Sequence, residues 1–120
     1  MNNIACIVVT YNRLELLKQC INALLHQSFN NFDIIVVNNG STDGTEKWLK
    51  ENPQIKFFTQ ENLGGAGGFH NGIKYAYQSG YDYFWIMDDD GISDRFCLEK
   101  LISVAKQGSQ YVAPLSVSYT

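Results

Sequence analysis

Five short apolar runs, separated by segments with helical spacing, constrain the fold of this chain more than any other feature of its sequence. The runs lie at residues 4–10, 32–37, 55–59, 83–87 and 111–115. Most of them are rich in Val, Ile, Phe or Tyr, as strands buried on both faces are. Strands that alternate with helices form parallel sheets through right-handed crossovers. The sequence therefore predicts an α/β fold with one parallel sheet and helices on both of its faces.

Apolar residues at helical spacing mark the segments between these runs. They are Leu14, Leu17, Ile21, Leu24 and Leu25 in one segment, Phe69, Ile73, Ala76 and Tyr77 in another, and Leu98, Leu101, Ile102 and Ala105 in a third. A shorter helix over residues 44–51 is predicted from Asp43 as its N-cap and Glu46 as the capping-box partner. Gly80 and Gly108 stand where helices are expected to end. Together the pattern predicts a Rossmann-like sandwich.

Length and composition exclude several classes of protein. The 120 residues suffice for one domain, and the net charge of -3 lacks the basic surface that a nucleic-acid binder needs. No apolar stretch approaches about 18 residues, so no membrane span is expected. Cys6, Cys20 and Cys97 lie in apolar segments without CxxC spacing, which favours buried, reduced thiols. We therefore expect a cytoplasmic protein, which leaves open a peripheral location at the inner face of the membrane.

Polar or glycine-rich residues follow each of the first four runs. These segments are residues 10–13, 38–43, 62–68 and 88–91. Ligands of open α/β sheets bind at the carboxyl ends of the strands, where all four segments would meet. This convergence predicts a binding site at one edge of the sheet.

Three adjacent aspartates, Asp88, Asp89 and Asp90, come directly after the fourth run. Side chains alternate along a strand, so Asp88 and Asp90 are expected on one side and Asp89 on the other. Two carboxylates about 5 Å apart repel by about 3 kcal/mol at an effective dielectric constant of about 20, unless a cation lies between them. Their oxygens suit Mg²⁺ or Mn²⁺. The structural alternative is a polar turn that binds nothing, in which Asp89 or Asp90 caps the next helix, but Ser93 is the better candidate for that cap.

Two further segments suggest ligand contacts. Glycines fill four of the five positions from Gly64 to Gly68, where a helix begins, and this favours close approach of an anionic ligand to bare backbone amides. The alternative is that these glycines let the helix pack closely on the sheet. The amides of Asn38 and Asn39 suit the edge of a pyrimidine base, while Asp43 is either a helix cap or a ligand contact.

Four motifs together resemble those of the family 2 glycosyltransferases, in order and in spacing. They are Val-Val-Thr-Tyr-Asn-Arg at residues 8–13, Val-Asn-Asn-Gly-Ser-Thr-Asp at 37–43, Asn-Leu-Gly-Gly-Ala-Gly-Gly-Phe at 62–69 and Met-Asp-Asp-Asp at 87–90. The likeness covers residues 3–105, and the glycine-rich form is similar to a branch containing bacterial galactofuranosyl- and rhamnosyltransferases. It implies a GT-A fold that binds a UDP- or dTDP-linked sugar, with Mg²⁺ or Mn²⁺ bridging the diphosphate to a DxD motif.

The resemblance also implies roles for individual residues. The nucleotide-sugar would contact Thr10, Tyr11, Asn12, Asn39, Asn62, Gly65 and Asp89, and the metal would be held by Asp88 and Asp90. Asp89 in particular would turn toward the ribose or the sugar. The family often has Asp-Asp where this chain has Asn38-Asn39, which puts the donor preference in question.

Members of the family continue well past 120 residues, so residues 1–120 are expected to form the nucleotide-sugar-binding half of a truncated GT-A domain. The resemblance implies an inverting enzyme of cell-surface polysaccharide synthesis, with a glycan or a lipid-linked acceptor. The acceptor base is expected beyond Thr120, and no catalytic residue is assigned within the chain, although His70 is a candidate ligand contact. Strand edges left open by truncation predict self-association.

Two alternatives belong to other classes of protein. In a haloacid-dehalogenase-like phosphatase, Asp88 would be the nucleophile and Asp90 the acid/base, with Mg²⁺ between them. That motif normally ends the first strand of its fold, whereas here it follows the fourth. The other alternative is a non-catalytic module that binds a nucleotide.

Overall fold

A parallel sheet of four strands lies at the centre of the computed structural model, which describes residues 4–90, 95–97, 99–100 and 103. The elements are β1 (Ile4–Thr10), α1 (Leu14–Leu25), β2 (Asp33–Asn38), α2 (Thr45–Lys50), β3 (Lys56–Thr59), α3 (Gly64–Gln78) and β4 (Tyr83–Asp88). The strand order is β3-β2-β1-β4, and every neighbouring pair is parallel. The predicted Rossmann-like α/β class is confirmed.

Separate apolar layers cover the two faces of the sheet. On one face, Cys6 and Val8 of β1 pack with Leu17 of α1 and Leu49 of α2. On the other face, Ile7 of β1, with Ile35 and Val37 of β2, packs with Ala76 of α3. β1 and β2 are thus buried on both faces, which is why their sequences are continuous apolar runs rather than alternating ones.

The strand boundaries differ from the predicted ones by one residue at most. β1 agrees with the prediction, whereas β2 begins and ends one residue later, because Asp33 and Asn38 pair with Ala5 and Thr10. β3 begins at Lys56, and β4 extends to Asp88. The fifth predicted strand, the capping role of Ser93, Gly108 and most of the last predicted helix lie outside the described residues.

The predicted capping box of α2 is wrong. The helix begins at Thr45, its N-cap is Gly44 with φ +93°, and the N-cap supplies no side-chain hydrogen bond. Glu46 instead accepts a hydrogen bond from Thr59 of β3 and pairs with Lys50, one turn further along the helix.

The edges of two helical apolar stripes are also more exposed than predicted. Leu25 is 53% exposed and Tyr77 is 73% exposed, while Leu17, Ile21, Leu24 and Ala76 are buried. Gly80, with φ +91°, follows α3 as predicted, and the amide of Tyr81 closes the turn on the carbonyl of Ala76.

Within the described residues the cysteines form no disulfide, and Cys6 and Cys20 are buried as predicted, while Cys97 is half-buried. Burial raises the pKa of the Cys20 thiol to about 12, with Asp89, Asp90 and Asp88 adding to the effect. Cys20 is therefore protonated at neutral pH. Within the described ranges, no helix combines the length and the apolar character needed to cross a bilayer.

Glycines of α3 let this helix lie close to the sheet. A Cβ atom at Gly68 would come within 2.6 Å of Cγ1 of Val9, and one at Gly72 within 2.7 Å of Cγ2 of Ile7. A Cβ at Gly65 would meet nothing within 4 Å. Close packing on the sheet therefore explains why residues 68 and 72 are glycines, but it does not explain the glycine at position 65.

Replacing Gly72 by Ala is expected to destabilise the fold by about 1–3 kcal/mol, because the added methyl group overpacks the contact with Ile7 and Val37. Gly65→Ala is the matched control, and it is expected to be neutral or to stabilise the helix by up to about 1 kcal/mol. Chemical denaturation of both variants measures the difference. Equal stability of the two variants would contradict the packing role.

Candidate functional site

The carboxyl ends of the four strands form one continuous row of polar residues. In the strand register, Thr10 lies beside Asn38, Asn38 beside Thr59, and Val9 beside Asp88. Three of the four predicted segments begin at Thr10, Asn38 and Asp88, and the segment at 62–68 begins three residues after Thr59. The structure therefore brings the strand-end segments together, as the topology argument predicted.

Asn12 joins the β1–α1 loop to the β2–α2 loop. Its side-chain oxygen accepts a hydrogen bond from the backbone amide of Thr42 at 2.7 Å, and its backbone amide donates to Oγ of Ser41 at 3.0 Å. Its φ of +50° is in the left-handed region, which asparagine tolerates better than most residues. The neighbouring Tyr11 is 46% exposed, so its ring is open to a ligand.

Asn39 ties the β2–α2 loop to the glycine-rich start of α3. Its Nδ2 donates to Oδ1 of Asn62 at 3.1 Å and to the carbonyl of Gly64 at 3.0 Å. Its Oδ1 accepts from Nε2 of Gln60 at 2.9 Å and from the amide of Leu63 at 3.1 Å. Both donor hydrogens and both acceptor positions of this buried amide are used within the protein. The sequence did not predict that Asn39 would connect these two loops.

Asn38 is buried in the same row. Its Nδ2 donates to Oγ1 of Thr59 at 3.3 Å, and its Oδ1 accepts from the amide of Ser41 at 3.2 Å. The two asparagines thus connect the ends of β2 and β3 and shape the loops that follow. Asn62 itself is exposed, and its Oδ1 also accepts from the amide of Gly64 at 2.9 Å.

Asp43 serves two helices at once. Its Oδ1 accepts from the amide of Thr45 at 3.2 Å, and its Oδ2 accepts from the amide of Leu14, the first residue of α1, at 3.2 Å. Partial burial alone would raise the pKa of Asp43, but hydrogen bonds from Thr45 and Leu14 outweigh it and hold the pKa below its ordinary value. Asp43 is therefore not the predicted N-cap of α2, but from the residue before that N-cap it accepts from the first amide of α2, and it also accepts from the first amide of α1.

The three aspartates at the end of β4 divide as strand alternation predicts. Asp88 and Asp90 are exposed, whereas Asp89 is 5% exposed. Oδ2 of Asp89 accepts from Oγ1 of Thr10 at 2.9 Å, and its Oδ1 lies 3.4 Å from Nη1 of Arg13. Arg13 also lies 3.9 Å from Asp90. Arg13 lies in the predicted strand-end segment at residues 10–13, but the sequence predicted no role for its side chain.

Burial raises the pKa of the Asp89 carboxyl above its ordinary value, and Asp90 and Asp88 act in the same direction. The hydrogen bond from Thr10 and the charge of Arg13 oppose this rise. The direction of this shift agrees with the 5% exposure of Asp89.

The exposed pair has the chemistry of a partial site for a divalent cation. Within the described ranges, no group of three or more His, Cys, Asp or Glu side chains is arranged to hold a metal ion. Mg²⁺ is commonly held by one or two carboxylates together with substrate phosphates, rather than by a complete cage of protein ligands. Asp88 and Asp90 fit that role.

The start of α3 adds a second feature. Its first turn contains no acidic residue, and no side chain of its N-cap residue, Leu63, caps it. The open space around Gly65 lies in this turn. A helix start of this kind favours an anionic ligand. His70 is exposed further along α3, and His26 is exposed at the end of α1, where its Nδ1 contacts the carbonyl of Asn22.

Residues 5–120 match the model of the family described as Glycosyl transferase family 2. The chain belongs to this family. It is 34% identical over 105 residues to galactofuranosyltransferase GlfT1 of Mycolicibacterium smegmatis, a match that covers 85% of this chain and 35% of that protein. This relative is a galactofuranosyltransferase, in agreement with the branch that the glycine-rich motif resembles.

Solved structures support the same fold. The chain is similar to Staphylococcus aureus TarS 1-349 in complex with UDP-GlcNAc, with a TM-score of 0.73 and 22% identity over 89% of this chain and 32% of that one. It is also similar to a mannosyltransferase from Pyrobaculum calidifontis in complex with GDP-Man and Mn²⁺, with a TM-score of 0.65 and 23% identity over 82% of this chain and 31% of that one. The fold is that of the GT-A glycosyltransferases.

Family 2 membership decides against the phosphatase alternative, since the aspartates end the fourth strand and the relatives are glycosyltransferases. The chain spans about a third of the length of the galactofuranosyltransferase, of TarS 1-349 and of the mannosyltransferase.

Replacing Asn39 by Asp is expected to destabilise the protein by about 2–3 kcal/mol, because the carboxylate keeps the size but loses both donors to Asn62 and Gly64. Asn22→Asp, an exposed change of the same charge on α1, is expected to shift stability by no more than about 0.5 kcal/mol. Denaturant unfolding measures both. A similar loss in the two variants would show that charge, rather than the lost donors, is responsible.

Replacing Asp43 by Ala is expected to reduce stability by about 1–2 kcal/mol at pH 7, because the starts of α1 and α2 each lose an acceptor. Since the folded-state pKa of Asp43 is lowered, its contribution is present above the unfolded pKa of about 3.9 and disappears as the pH falls through the folded value. The gap between wild type and Asp43→Ala should therefore narrow in acid.

Unfolding free energies measured at intervals between pH 7 and about pH 2.5 test this prediction. Asp82→Ala, at an exposed aspartate just before β4, is the control and is expected to show no comparable gap. A gap for Asp43→Ala that stays constant across this range would contradict the assigned role of the carboxylate.

Proposed function

We propose that this chain forms the donor-binding part of a glycosyltransferase that transfers a sugar from a UDP- or dTDP-linked donor to a glycan or a lipid-linked acceptor. The observation that carries the proposal is the convergence of four strand-end segments on one edge, with Asp88 and Asp90 exposed there, in a chain of family 2. Donor binding is proposed rather than the complete reaction, because the chain spans about a third of its relatives.

In this proposal Asp88 and Asp90 hold Mg²⁺ or Mn²⁺ together with the donor diphosphate. When bound, the cation would neutralise the negative charge that grows on the departing diphosphate. The complex of the Pyrobaculum mannosyltransferase with GDP-Man and Mn²⁺ supports a divalent cation. The start of α3, where the N-cap residue supplies no side-chain hydrogen bond and Gly65 meets open space, supports an anionic group in the same site.

The nucleoside is proposed to lie against Tyr11, whose exposed ring offers a stacking surface. Asn12 and Asn62 are also exposed, and their side-chain amides are proposed to contact a ribose or a base. Asn39 contributes in a different way, because its amide is already saturated and it therefore shapes the loop instead of reading the base. Asn38 replaces the charge that the family often has with a neutral amide.

Titration calorimetry with UDP and with dTDP, each with and without Mn²⁺, tests the proposal. Wild type is expected to bind the nucleotide about tenfold more tightly with Mn²⁺, a difference of about 1.4 kcal/mol. Asp90→Asn should lose that increase, because the cation loses one of its two carboxylates. The comparison of UDP with dTDP also reports the base preference.

Asp33→Asn is the matched control, since Asp33 is a paired carboxylate beside Lys56 at the opposite edge of the sheet. It is expected to retain the full effect of Mn²⁺. Absence of nucleotide binding by wild type under all conditions would contradict the proposal and favour a purely structural domain. Nucleotide binding that is indifferent to Mn²⁺ would favour a non-catalytic nucleotide-binding module.

A further inference from the structure

Asp89 differs from the aspartates on either side of it because its carboxylate is directed into the protein. It is 5% exposed, whereas Asp88 and Asp90 are exposed. One oxygen accepts a hydrogen bond from Oγ1 of Thr10, and the other lies beside the guanidinium of Arg13. Both oxygens of this carboxylate therefore have partners within the protein.

The partner Thr10 is itself 1% exposed and ends β1, the strand paired with β4. The bond joins residues 79 positions apart in sequence, at the point where both strands give way to loops. The parallel pairing of β1 with β4 ends at Val9 and Asp88. The hydrogen bond between the side chains of Thr10 and Asp89 therefore joins the two chain segments one residue beyond the last strand pair. This contact fixes the chain direction immediately after Asp88.

Arg13 extends the connection to the start of α1. Its Nη1 lies 3.4 Å from Asp89 and 3.9 Å from Asp90, while its side chain is 54% exposed. An exposed pair of this kind contributes little by itself. The buried hydroxyl of Thr10 is therefore the main partner, and Arg13 is the secondary one.

We propose that Asp89 is a positioning residue, which acts through Thr10 to hold the turn that presents Asp88 and Asp90 to the cation. The inference rests on the proposed function, and it departs from the sequence-based expectation that Asp89 contacts the ribose or the sugar. An inward tether is the simpler role, because the residue is only 5% exposed and one of its oxygens already accepts from the buried hydroxyl of Thr10. Alternation along the strand then directs the two flanking carboxylates outward.

Substitution of Thr10 separates this role from direct ligation, since it leaves all three carboxylates in place. Thr10→Val keeps the shape and removes the hydroxyl, while Thr10→Ser keeps the hydroxyl. We measure the ratio of UDP affinities with and without Mn²⁺ by calorimetry, and the binding of Mn²⁺ alone by electron paramagnetic resonance. Loss of an outer contact of this kind commonly weakens metal binding by about tenfold or more.

Thr10→Val is expected to lower the Mn²⁺-dependent ratio by about tenfold, and Thr10→Ser is expected to retain most of it. Hydrogen exchange of the backbone amides of Asp89 and Asp90 should rise in the valine variant alone. If Thr10 instead contacts the base, Thr10→Val would weaken UDP binding equally with and without Mn²⁺, and the unchanged ratio would overturn the inference. An equal loss in the serine variant would also overturn it.

Arg13→Gln provides a second variant that leaves the buried hydroxyl in place and alters an exposed side chain. It is expected to fold as wild type does and to lower the ratio less than Thr10→Val. If wild type shows no Mn²⁺-dependent binding, the proposed function fails and this inference fails with it. If wild type shows that dependence and both variants retain it in full, the inference alone fails.

Discussion

The burial of β1 and β2 on both faces is the constraint on which the rest of this structure depends. Neither strand has a solvent-facing side, so polar side chains are confined to the positions where the strands end. In a parallel sheet these positions lie at the same edge, and Thr10, Asn38 and Thr59 are neighbours there. The candidate site follows from the sheet itself, because the same topology that buries the strands gathers the polar residues.

Most polar groups at that edge are used to hold the loops to one another. Asn12, Asn39 and Asp43 each connect two segments that are distant in sequence. These side chains pair with backbone amides and a carbonyl of the loops. The effect on stability is largest at Asn39, which is buried, because a buried polar group without a partner is costly. The residues left exposed, which include Tyr11, Asp88 and Asp90, are the ones available to a ligand. Rigidity and binding are thus divided among neighbouring residues.

The comparisons support two conclusions of different reach. The match over residues 5–120 shows membership of family 2, whereas the likeness to TarS and to the Pyrobaculum mannosyltransferase, at 22% and 23% identity, shows the fold alone. Nucleotide-sugars bound to those proteins agree with the site proposed for this chain. The donor, the acceptor and the cation of this protein are accordingly proposals.

The sequence by itself determined the class of fold, the meeting of the polar strand-end segments at one edge of the sheet, and the separation of Asp89 from Asp88 and Asp90, because these depend on local periodicity and strand alternation. Only the tertiary structure decided that Asn39 is saturated, that Asp43 also caps α1, and that Asp89 faces Thr10. It also separated Gly68, which packs on Val9, from Gly65, which faces open space. The physical reason is that hydrogen bonds and close contacts between distant segments depend on distances that no local pattern encodes.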